Sequence, residues 1–77
     1  MTSETATRLA NDIVQDLKSN KYYAVPGELA KYIRNVLALN EQDATSTADA
    51  ILADWNGARY YEDAKTLSQF LNGRSAK

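Results

Sequence analysis

Residues 6 to 35 of this chain return, altered, as residues 44 to 73, and that repeat limits the folds open to it. At an offset of 38, eight of 30 positions are identical: Ala6 with Ala44, Thr7 with Thr45, Ala10 with Ala48, Ile13 with Ile51, Asp16 with Asp54, Tyr22 with Tyr60, Tyr23 with Tyr61 and Leu29 with Leu67. Unrelated sequences of average composition would share roughly two. Conservative pairs keep the same register, namely Val14 with Leu52, Leu17 with Trp55, Lys21 with Arg59, Tyr32 with Phe70 and Ile33 with Leu71. We read this as an internal duplication.

Each copy reads as helix, basic-Tyr-Tyr connector, helix. Ala6, Ala10, Ile13, Val14 and Leu17 recur at helical spacing, so a first amphipathic helix runs from a cap at Thr2 or Ser3 to about Ser19, with Asn20 as its stop. Pro26 suits a first helical position, because its fixed φ fits and its missing amide is one the helix leaves unused. Leu29, Tyr32, Ile33, Val36 and Leu37 form the second stripe, and nothing before Asn40 breaks it, so that helix is expected to reach Leu39. Asn40 with Asp43 resembles a capping box, which starts a third helix running to about Trp55. The run Thr45-Ser46-Thr47 is weak in helix propensity and leaves a later start near Thr45 open. Ala44, Ala48, Ile51, Leu52 and Trp55 make its buried stripe, and Asn56-Gly57 its end. Asp63 caps a fourth helix whose Ala64, Leu67, Phe70 and Leu71 face inward and whose stop is expected at Asn72-Gly73.

The expected fold is therefore all-α: two tandem helical hairpins, about residues 3–39 and 41–73, packed as a small four-helix bundle with a flexible tail at 74–77. A length of 77 residues allows one domain, and at that size folding removes only about 60% of the unfolded chain's surface from water. The chain has neither Cys nor His, so disulfides and the usual zinc, haem and iron-sulfur ligand sets are not expected, nor any cofactor. Packing or self-association must then hold the fold, and a homodimer is one expectation. No long apolar run suggests a membrane span, and the amino terminus lacks the basic-then-apolar pattern of a secretory signal, so the expected address is cytoplasmic.

Net charge is −1 but unevenly placed: −2 over residues 1–17, +3 over 18–40, −5 over 41–63 and +3 over 64–77. A bipolar surface favours oriented docking on another protein. The candidate binding residues are Lys21, Tyr22, Tyr23, Arg34, Arg59, Tyr60 and Tyr61, since tyrosine and arginine are favoured where interfaces hold most of their energy. Against that stands the plainer role of rings that staple helix ends together, one of each pair closing the core. Trp55 aligns with Leu17 and is expected in the core.

Basic residues beside aromatic ones also suit nucleic acid, through phosphate contact and base stacking, with Lys18, Lys21, Lys31 and Arg34 forming a modest basic face around the second helix. The slightly acidic chain and the absence of a helix-turn-helix break after Pro26 to Ile33 make this the second choice. Catalysis is not expected, because His and Cys, the commonest general base and the best nucleophile, are missing and the three glycines form no phosphate-cradling loop. The sequence thus points to a small protein-binding module acting as a regulator, inhibitor or adaptor.

Overall fold

The computed structural model describes residues 3–19, 23 and 25–74. They form α1 (Ser3–Ser19), α2 (Pro26–Leu37), α3 (Glu41–Trp55), a 3-10 turn (Tyr60–Glu62) and α4 (Ala64–Arg74), with no strand among them. The side chain of Ser3, the cap expected at Thr2 and the stop expected at Asn20 lie outside the described residues.

Helix α1 forms because its apolar residues return every three or four positions, and Ala6, Leu9, Ala10, Ile13, Val14 and Leu17 are all buried. Its exposed Arg8 and Glu4 pair at 3.0 Å one turn apart, a contact worth only a few tenths of a kcal/mol. Val25 leads into α2 with extended backbone, and its carbonyl accepts from the amides of Glu28 and Leu29, so Pro26 takes the first helical position without losing a bond. Asn40 caps α3: its Oδ1 accepts from the Asp43 amide at 2.7 Å, and the helix starts at Glu41 rather than near Thr45.

Two helix ends differ from expectation, and α3 ends at Trp55 as expected but through a different turn. Helix α2 stops at Leu37, two residues early, because Ala38 turns left-handed at φ 55°, ψ 36°. That conformation costs a non-glycine residue about 1–2 kcal/mol. In return Leu39 folds back into the core and Asn40 reaches its capping position. At the end of α3 neither Asn56 nor Gly57 is left-handed; the chain reverses at Arg59, with φ 59°, whose amide donates to the Asp54 carbonyl. A Cβ at Gly57 would stand 3.3 Å from the Ala53 carbonyl oxygen, a tight approach that a larger residue could make only by a small shift of the turn. Helix α4 continues through Asn72-Gly73 to Arg74, whose guanidinium lies 5.1 Å from the centre of the Phe70 ring one turn back. The tail beyond it, residues 75–77, lies outside the described residues.

Leu9, Ile13, Leu29, Ile33, Ile51, Leu67 and Leu71 fill the centre of one core. Burying each such side chain stabilises the fold by about 1.5–3 kcal/mol. The 38-residue shift carries buried to buried at six positions, Ala6 to Ala44, Leu9 to Thr47, Ala10 to Ala48, Ile13 to Ile51, Leu29 to Leu67 and Ile33 to Leu71, whereas buried Val14 and Leu17 meet the half-buried Leu52 and Trp55. Thr47 is the polar member of this set, and its hydroxyl donates to the Asp43 carbonyl at 2.7 Å, which removes the cost of burying it unpaired.

The closest helix pairs are α2 with α3 and α1 with α4. Each therefore joins the two halves, and exchanging α1 with α3 and α2 with α4 turns one pair into the other. The halves interlock rather than standing side by side as separately packed hairpins.

Candidate functional site

Both connectors are held by an aspartate near the end of the preceding helix. Asp16 Oδ2 accepts from the Tyr23 amide at 2.6 Å, and Asp54 accepts from the amides of Tyr60 and Tyr61, at 3.2 Å through Oδ1 and 2.8 Å through Oδ2. Both carboxylates bind backbone amides of the connector that follows their helix, which is a structural role. An ionised acceptor strengthens such bonds, so each aspartate fixes the path of the chain beyond its helix.

The clamped backbone sends one ring of each pair inward. Tyr23 stacks on Tyr32 with centroids 4.7 Å apart, and Tyr61 stacks on Phe70 at 4.8 Å. All four rings are half-buried and pack against the core. Tyr32 also donates its hydroxyl to Asp12 Oδ2 at 3.0 Å. Burial first, and then the bond to the Asp12 carboxylate, push the Tyr32 phenol up to about 12. Tyr23 is raised as well, by burial and by the nearby charges of Asp16 and Asp12. Asp12 and Asp16 thus serve hydrogen bonds on this face, and no cluster of three or more acidic side chains suited to a metal ion occurs among the described residues.

Tyr60 is the outward ring of the second pair, 71% exposed, whereas its helical turn is anchored by Asp54. Beside it Arg59 lies 4.7 Å over the Trp55 ring, donates from Nε to the Trp55 carbonyl at 2.9 Å and meets Glu62 at 3.5 Å. Trp55 is half-buried rather than enclosed, unlike its counterpart Leu17. Two assemblies result, Trp55 with Arg59 and Tyr61 with Phe70 and Arg74, and Tyr60 stands between Arg59 and Tyr61 in the sequence. The sequence pattern missed Trp55, Phe70 and Arg74 as surface groups. Their spacing was visible, since Trp55 and Arg59, like Phe70 and Arg74, are one helical turn apart.

The remaining candidates separate. Lys21 and Tyr22 lie outside the described residues. Arg34 is exposed and lines, with Gly27, Ala30, Lys31, Glu41, Ala44 and Thr45, a groove of about 220 Å³ between α2 and α3. Tyr32, two residues earlier, points to α1 instead, because two helical steps turn a side chain by roughly 200°. Arg34 and the stacked tyrosines therefore occupy different faces. No helix among the described residues is long and apolar enough to cross a membrane. Comparison of the chain with protein-family models, with curated proteins and with solved structures finds no match.

Proposed function

We propose that this is a non-catalytic cytoplasmic module that regulates, inhibits or adapts a larger protein by docking on it through Trp55, Arg59, Tyr60, Tyr61, Phe70 and Arg74. The observation that carries the reading is Tyr60, an exposed ring on a clamped backbone beside an arginine stacked on tryptophan. Tryptophan, tyrosine and arginine are the side chains in which binding energy concentrates. Fixing them before contact lowers the entropy lost on association.

The test is capture from cell lysate on the immobilised chain, with and without nuclease, comparing the unaltered chain with Tyr60→Ala. A protein retained by the first and at least about tenfold depleted on the second supports the reading, that ratio being the loss of one good anchor. Equal retention by both moves the docking surface away from Tyr60. If nuclease abolishes all retention, the basic residues Lys31 and Arg34 beside the α2–α3 groove become the place to look and nucleic acid the partner.

A further inference from the structure

Ala38, Leu39 and Asn40 are the whole connection between the two halves, and at Ala38 the backbone opposes its own sequence. Val36-Leu37-Ala38-Leu39 contains nothing that stops a helix, and alanine is the residue that favours helix most, yet Ala38 stands at φ 55°. The close helix pairs, α2 with α3 and α1 with α4, both span this connection.

We propose that the chain exchanges halves with a second copy of itself. Ala38 straightens into helix, α2 runs on into α3, and the α1–α2 half of each copy packs on the α3–α4 half of the other. Both helix pairs are then remade between copies with the same residues, and the connection is the main part that changes. A short, strained connection between interlocked halves favours such exchange. Straightening relieves the left-handed alanine. It gives up the buried position of Leu39 and the Asn40 cap on the Asp43 amide, so the dimer gathers only when the chain is concentrated. It would also carry two copies of the Tyr60 surface, although the exchange itself is independent of any docking role.

The experiment needs only the purified full chain. It is unfolded and refolded at micromolar and at millimolar concentration, and its mass is followed by sedimentation. Glycine is at ease left-handed and poor in a helix, so Ala38→Gly should weaken the dimer by at least about tenfold per connection, at least about a hundredfold for the two in a dimer. Thr7 on α1 and Ser68 on α4 bring their hydroxyl oxygens to 3.3 Å, and the chain has no cysteine of its own. Oxidised Thr7→Cys/Ser68→Cys should therefore close within one chain after dilute refolding and between two chains after concentrated refolding. A chain that stays monomeric at every concentration overturns the proposal. So does a dimer indifferent to Ala38→Gly, or one that forms while the cysteines close only within chains, since either is a surface contact without exchange.

Discussion

Tyr32 and Phe70 hold matching places in the two halves, and the hydroxyl that distinguishes them should contribute to the chain's response to alkali. In the folded chain the Tyr32 phenol is raised from 10.0 to about 12 by burial and by Asp12, with Asp16 and Glu28 adding charge near its stacking partner Tyr23. Above pH 10 the unfolded chain gives up this proton while the folded one keeps it, so stability present below that pH is lost as pH rises toward about 12. Urea midpoints should fall across that window, and less steeply for Tyr32→Phe, which borrows the residue of the other half. An equal fall in both would separate the alkaline response from Tyr32. Thr47 allows a second comparison at this scale. Thr47→Val deletes a hydroxyl whose hydrogen bond and desolvation nearly cancel, so the melting free energy should move by less than about 1.5 kcal/mol.

At the scale of elements, the third helix was legible because a side-chain cap is written in the sequence: Asn40 stands three residues before Asp43, and its Oδ1 accepts from the Asp43 amide in the fold. Asn40→Ala should cost about 1 kcal/mol in chemical denaturation. The left-handed turn at Ala38 was not legible, since only tertiary gain, the burial of Leu39, overrides the local preference of alanine for helix. Leu9 and Thr47 escaped for a related reason. A stripe drawn through the best-spaced apolar residues excluded Leu9 at its edge, and a threonine reads as polar until its hydroxyl is seen bonded to Asp43. The connectors were legible as a repeated pair of tyrosines, whereas the aspartates that clamp them were visible only as matched letters. Asp54→Ala should destabilise by about 1–3 kcal/mol through two orphaned amides, with Asp54→Asn between it and the unaltered chain. In capture experiments Asp54→Ala should also lower retention at temperatures where the chain is still folded, because Tyr60 loses its fixed backbone.

At the scale of the whole molecule, a hydrophobic stripe tells which face of a helix is buried but not which helix covers it. That is why the sequence suggested two hairpins in tandem while the helices pair across the halves, α1 with α4 and α2 with α3. The difference has a measurable consequence. Were each half packed mainly on itself, a cavity in one half would unfold that half first and leave the other helical. With the halves interlocked, neither has a core of its own to retain. Ile13 and Ile51, both fully buried and related by the 38-residue shift, provide the comparison. Ile13→Ala and Ile51→Ala should each cost about 2–5 kcal/mol, a large share of the roughly 4–12 kcal/mol expected for a chain of this length. Either substitution should shift one transition, with helical circular dichroism and the fluorescence of Trp55 changing together. Hydrogen exchange should show the slowest amides of α1 and α3 losing protection by the same amount in both variants. If Ile13→Ala moves the circular dichroism transition while Trp55 keeps its original midpoint, the halves unfold separately and the interlocked core is not what holds this fold together.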